Sequence, residues 1–148
     1  MGSFLNDMFD GEGTMTWKDK NATYVGSWKA GKQHGKGIFT YEDGSKYDGE
    51  WKDNQRDGKG LMIWKANEGE FRYDGDWKKD MKDGQGTYTW PGSDKLYHKG
   101  QWSQNKRHGN GEATYTDGGK YVGNFKDNLR DGKGTFTYRD GSKYDGEW

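Results

Sequence analysis

Cysteine is absent from this chain, which excludes disulfide staples, thiolate metal sites and a thiol nucleophile. Hydrophobic residues are scarce, at 28% with a mean hydropathy of −1.44. No apolar run approaches the roughly 20 residues a membrane-spanning helix needs. An excess of one charge is missing too. The 24 basic residues are matched by 24 acidic ones, so nucleic acid, which wants a basic surplus, is not an expected partner. Apolar residues do not recur at helical spacing over any useful window, so no helix is expected. Hydrophobicity alone places the chain near the disordered class, which cannot bury enough apolar surface to offset chain entropy.

What the chain does have opposes disorder. Aromatics make up 16% of it and Gly contributes 26 residues, and both fall in register. A Tyr-x-Gly-x-Trp element recurs as Tyr24-Gly26-Trp28, Tyr47-Gly49-Trp51, Tyr73-Gly75-Trp77, Tyr121-Gly123-Phe125 and Tyr144-Gly146-Trp148. A degenerate copy, His98-Gly100-Trp102, fills the remaining gap. Between them runs Gly-x-Gly, at Gly11-Gly13, Gly35-Gly37, Gly58-Gly60, Gly84-Gly86, Gly109-Gly111 and Gly132-Gly134. The period is 23 to 26 residues, so each unit is completed by its neighbours.

Within each element the named residues lie two apart, which puts them on one face of a strand. Phe39 and Tyr41, Met62 and Trp64, Tyr88 and Trp90 continue the same parity. The other face carries residues such as Asp48, Glu50, Lys59, Gln85 and Glu112. Glycine inside a strand marks a place where something packs close to the backbone. A large ring on one strand lying across a bare Gly on the next would give a core one side chain thick. The expected fold is all-β: an elongated single-layer antiparallel meander of about twelve short strands, twisted or curled, with an aromatic/glycine face.

Two connections alternate. Seven residues separate Trp28 from Gly35, and the same interval recurs in every copy. Three residues past each of these aromatics stands Gly31, Asn54, Asp80, Asn105 or Asn128, types that best tolerate a left-handed backbone. The second connection carries Asp43-Gly44, Asp117-Gly118 and Asp140-Gly141, expected as hairpin turns of the Asp-Gly type. Lys65 to Phe71 and Pro91 to Lys95 are longer versions of it. The repeats then run over 4–23, 24–46, 47–72, 73–97, 98–120 and 121–143, with a half repeat at 144–148 and residues 1–3 as an added start. Phe4 matches the Trp position and Asp7 the left-handed turn position. Neither end carries a polar cap, so a fragment of a longer array is expected.

These residues resemble MORN repeats (membrane occupation and recognition nexus), from residue 4 to the end of the chain. Phe125 for Trp, and Tyr97-His98 shifting the aromatic in the fourth copy, are the departures. Similar repeats occur in junctophilins, radial spoke head proteins, protist cytoskeletal scaffolds, some plant lipid kinases and a lysine methyltransferase. The resemblance implies a non-catalytic module for protein binding, scaffolding or membrane proximity, in a cytoplasmic, cytoskeletal or membrane-associated setting.

Constellations for chemistry are sparse, and no cofactor or metal is expected. His34 and His108 stand where other copies have Asp, so they read as interchangeable repeat positions. Asp53-x-Gln55-x-Asp57-Gly58 resembles the front of a calcium loop, but the twelfth position, which needs an acid, is Trp64. Gly-x-Gly precedes strand, so no phosphate cradle forms. Asn21-Ala22-Thr23 matches a glycosylation sequon by chance.

Two functional readings follow. A protein or peptide, such as an amphipathic helix, would lie in a groove lined by Trp28, Tyr41, Trp51, Trp64, Trp77, Trp90, Trp102 and Phe125. The competing reading is an anionic membrane lipid, a phosphoinositide for instance, touching Lys29, Lys32 and Lys36; Lys78, Lys79 and Lys82; and Lys106 with Arg107. Interleaved acids weigh against it. The edge strands near Phe4 and Trp148 lack Pro, so end-to-end stacking or a homodimer is also expected.

Overall fold

The structure, a computed structural model, describes residues 3–5, 8–92 and 96–148. Among them are thirteen strands: β1 Ser3–Leu5, β2 Met8–Trp17, β3 Ala22–Lys29, β4 Lys32–Thr40, β5 Lys46–Lys52, β6 Gln55–Ala66, β7 Gly69–Lys78, β8 Met81–Thr89, β9 Tyr97–Ser103, β10 Lys106–Thr114, β11 Lys120–Lys126, β12 Leu129–Thr137 and β13 Lys143–Glu147. They follow one another in sequence order across a single sheet. The sheet is one open antiparallel meander that does not curl round on itself. Phe4 lies on β1 opposite Phe9, the register its match to the Trp position requires. Asp7 lies outside the described residues.

The core is a zigzag of rings. Tyr24 meets Trp28 of its own strand at 5.0 Å and Trp51 of the next repeat at 5.5 Å, both edge to face. The alternation continues through Tyr47, Trp77, Tyr73, Trp102, His98, Phe125, Tyr121 and Trp148. Edge-to-face pairing suits the negative face and positive edge of each ring. Tyr47 lies across Gly60, where an added Cβ would overlap its ring. Gly37, Gly86 and Gly134 receive Tyr24, Tyr73 and Tyr121 in the same way.

Both polar tips are satisfied. The Tyr47 hydroxyl donates to the Glu50 carbonyl at 2.9 Å. The Trp51 indole N–H donates to the Gly37 carbonyl at 3.1 Å. Each buried ring removes on the order of 150–250 Å² from water. At about 25 cal/mol per Å² a ring contributes about 4–6 kcal/mol against a fully extended chain, an upper bound.

The two glycines of Gly-x-Gly do different things. Gly60 makes room for the ring. Gly58 sits at φ 106°, within a bulge where the register shifts between Gly49 and Trp51. Only Gly enters that conformation cheaply. On the far face the Glu50 carboxylate reaches past Gly58 and accepts the Lys59 backbone N–H at 2.6 Å. Asp76 does this for Gln85 and Gln101 for Asn110.

At the first connection both central residues are left-handed: Asp53 and Asn54 have φ of 48° and 68°, the mark of a type I′ hairpin. Asn and Asp here also zip successive turns together. Asn105 donates its backbone N–H to the Lys82 carbonyl at 2.9 Å and accepts the Lys82 N–H on Oδ1 at 2.8 Å. Asn54 with Gln33, Asp80 with Arg56 and Asn128 with Arg107 repeat this pair.

The Asp-Gly sites turn the chain as expected, with a geometry that differs from that of the first connection. Gly44 donates to the Tyr41 carbonyl at 3.0 Å and alone carries positive φ there, 87°, so the turn is type I followed by a left-handed Gly. The longer connection from Lys65 extends the ladder rather than bulging. Trp64 pairs with Phe71, Lys65 with Glu70 and Ala66 with Gly69, and Lys65 Nζ meets Glu70 at 3.0 Å.

Asn105 separates the two demands of the first turn. Asn105→Gly keeps the left-handed backbone but loses the side-chain bond, so it should cost about 0.5–1.5 kcal/mol. Asn105→Ala adds the left-handed penalty of about 1–2 kcal/mol. Urea unfolding should rank stability Asn above Gly above Ala; Ala equal to Gly would refute this account of the turn.

Candidate functional site

Three rows cross the aromatic face. At the second-turn side stand half-exposed rings: Trp17, Phe39, Tyr41, Trp64, Tyr88, Trp90 and Tyr115. They pack on one another, with Phe39 4.5 Å from Tyr41 and Tyr88 4.7 Å from Trp90. The middle row is the Tyr/Trp zigzag. At the first-turn side stand Gln33, Arg56, Lys82, Arg107 and Arg130, each five residues past the Trp or Phe of its repeat.

The residues singled out by sequence divide between these rows. Trp28, Trp51, Trp77, Trp102 and Phe125 retain between 3% and 7% of their surface and belong to the core. Tyr41, Trp64 and Trp90 are half-buried and can present ring surface. The basic clusters also divide. Lys29, Lys32, Lys36, Lys78, Lys79 and Lys106 are exposed. Lys29 and Lys32 face each other beside the first turn, Lys36 stands opposite Glu50, and Lys79 donates its backbone N–H to Asp57 at 3.4 Å. Lys82 and Arg107 instead lie on the aromatic face, half-buried.

These two belong with Arg56 and Arg130, which sequence reading passed over. Arg56 lies 4.5 Å from the centre of the Trp77 ring and Arg130 4.5 Å from that of Trp148. Lys82 stands 4.7 Å from the rings of both Tyr88 and Trp102. Arg107 covers Phe125 at 5.2 Å. Cations over ring faces are attracted by the ring quadrupole. Their spacing relative to each Trp was a usable signal, because it recurs at a fixed offset.

Burial, with Arg107 and Arg56 nearby, lowers the Lys82 pKa to about 8. Burial also lowers that of Arg107, with Arg130 adding to the shift. Arg56 has a carboxylate partner in Asp80, at 3.1 Å. Among the described residues no ion pair is recorded for Lys82, Arg107 or Arg130.

Two of the three histidines stand beside turns. His34 and His108 stand 4.0 and 3.9 Å from Asp53 and Asp127, at the positions where Asp57 and Asp83 receive backbone N–H groups. His98 is different. It fills the Tyr slot completely buried, while Tyr97 turns to the other face and donates to Glu112. His98 keeps the ring zigzag unbroken, 5.2 Å from Trp102 and 4.7 Å from Phe125. Neither ring nitrogen has a hydrogen-bond partner among the described residues. Burial, and then Arg107, lowers its pKa to about 4.

His98→Tyr should therefore stabilise the fold, by about 1–3 kcal/mol, because the buried unsatisfied nitrogens are replaced by a hydroxyl that reaches the Gln101 carbonyl. The pH dependence has a definite sign. An unfolded His protonates near pH 6.5, whereas folded His98 stays neutral until about pH 4. Stability is lost as pH falls through that window, since the unfolded state binds the proton first. Urea midpoints measured from pH 7 to pH 4 should show this loss shrinking in His98→Tyr; an unchanged profile would contradict it.

Known sequences agree with this architecture. A MORN repeat family model matches residues 1–22, 24–46, 47–67, 73–95, 98–120 and 121–143. The chain is also 38% identical over 42 residues to MORN repeat-containing protein 3 of Xenopus laevis. That match covers 28% of this chain and 18% of the relative, so it bears on repeat character and leaves the relative's other segments aside. With six matched repeats, a ring-over-glycine core and one hairpin per period, the chain belongs to the MORN repeat family.

Proposed function

We propose that this chain is a non-catalytic scaffold segment that holds a protein or peptide along its aromatic face. The observation that carries this reading is the row of half-exposed rings at the second-turn side. No second layer of structure covers it among the described residues. Contiguous exposed apolar surface of this kind marks an interaction site. The hollow bounded by Phe9, Trp17, Trp28, Gln33 and Phe39, about 450 Å³, and a smaller one of about 240 Å³ beside Lys82, Trp90 and Arg107, give the face relief for anchoring side chains. Aromatic anchors in such hollows dominate interface energies.

The alternative is an anionic phospholipid surface bound through the exposed lysines. It has less support, because Asp53, Asp57 and Asp83 alternate with those lysines along the same edge, and because a flat bilayer does not reach half-buried Lys82 and Arg107.

The rings divide into those that hold the fold and those that face outward, which makes the reading testable. Trp51→Ala should cost about 3–5 kcal/mol as a core truncation. Trp64→Ala and Trp90→Ala should leave the folded state intact and reduce partner binding. Photo-crosslinkers placed at positions 64 and 90 should capture protein from a cell extract, whereas one at Val25, on the opposite face, should not. Equal capture from both faces would overturn the proposal.

A further inference from the structure

Net neutrality conceals an asymmetry between the faces. The far face pairs its charges: Lys59 with Asp76 at 2.9 Å and Lys120 with Glu112 at 2.8 Å. The aromatic face carries a line of cations, of which Arg56 is paired to Asp80, and Glu68 lines the hollow that Trp90, Tyr115 and Arg107 share. Arg56, Lys82, Arg107 and Arg130 occupy β6, β8, β10 and β12 at equivalent register. Strands lie about 4.8 Å apart, so these cations recur about every 9.6 Å along the sheet. They are close enough to feel one another: Arg107 and Arg56 both help lower the Lys82 pKa.

We propose that the occupant of the aromatic face is an acidic amphipathic helix, running across the strands with a carboxylate every seventh residue. This rests on the reading of that face as a protein-binding surface. Three arguments carry it. The first is charge complementarity: Lys82 and Arg107 are half-buried against rings, Arg130 is exposed but stands over the Trp148 ring, and among the described residues none of the three forms an ion pair. Partner carboxylates would supply the missing counter-charge. The second is spacing. A helix advances about 10.5 Å in seven residues and returns to the same face, a step the long Lys and Arg side chains can follow. An extended strand repeats one face at about 6.7 or 13 Å and misses the row.

The third argument is the division of the surface. The cations stand at the first-turn side and the half-exposed rings Tyr88 and Trp90 at the second-turn side. A helix with an acidic stripe beside an apolar stripe matches both.

Three synthetic helical peptides test this. They share an apolar stripe and three heptads and differ only in bearing Glu, Gln or Lys at the seventh-residue positions. Binding to the intact chain is followed by fluorescence anisotropy. The Glu peptide should bind at least tenfold tighter than the Gln peptide, with affinity falling as salt rises, and the Lys peptide weakest. The variant Lys82→Gln/Arg107→Gln/Arg130→Gln should lose at least tenfold for the Glu peptide only. Gln already occupies the equivalent site at Gln33, so this change suits the fold. Reversing charge with Arg107→Glu/Arg130→Glu should favour the Lys peptide.

Equal binding of all three peptides would overturn the acidic preference while leaving the face as a protein-binding surface. If phosphoinositide vesicles bind through Lys82, Arg107 and Arg130 and the Glu peptide does not, the proposal is also overturned. Binding of no peptide, together with capture of protein at positions 64 and 90, would reject the acidic helix and keep the scaffold reading.

Discussion

Everything in this sheet depends on a tyrosine ring lying across a glycine that has no side chain. The ring of Tyr47 sits where a Cβ of Gly60 would be. That contact lets a single sheet have an interior, because each ring is closed in by backbone below and by neighbouring rings at its edges. The Trp indole then ties the layer to the strand behind it through the Gly37 carbonyl. A sheet built this way needs no helix layer or second sheet. It can add hairpins one at a time, which is how a chain with so few hydrophobic residues avoids disorder.

The same economy decides what the outer surface can do. The rings spent on the core, Trp51 and Trp77 among them, are covered. Rings closer to the second turns, Trp64 and Trp90 among them, are only half-buried, and the cation row runs along their first-turn side. On the proposed function, binding would reside in what the repeat leaves over after its fold is satisfied. Repeats differ there: Phe9 and Gln33 stand in the first two positions of a row otherwise made of Arg and Lys. His98 shows the reverse case, where a departure sits inside the core and weakens it without breaking the chain of ring contacts.

Much of this was legible in the sequence. The period, the strand parity and the left-handed position at Asn54, Asp80, Asn105 and Asn128 follow from residue types at fixed offsets. What stayed hidden had equivalent appearances. Gly58 and Gly60 look alike as letters, yet one bends a bulge and the other receives a ring; only the register shift distinguishes them. Lys78, Lys79 and Lys82 look like one basic cluster, but strand alternation sends Lys82 to the aromatic face and leaves the others at the turn edge. Trp51 and Trp64 look equally available until the ring zigzag buries the first. The Asp-Gly pairs named the second turns but left their geometry open, because Asp-Gly serves a type I turn with a following left-handed Gly as well as a two-residue hairpin.

The central claim, that Tyr47 and Gly60 form one unit, is tested most directly by a double-mutant cycle in urea. Gly60→Ala, Tyr47→Leu and the double variant are compared with the parent chain. Gly60→Ala should destabilise by about 1–3 kcal/mol, since the added methyl overpacks the ring. Once Tyr47 is Leu the same methyl should cost far less, giving a coupling of about 1 kcal/mol or more. Additivity within about 0.5 kcal/mol would mean that the ring and the glycine act independently, and would contradict the account.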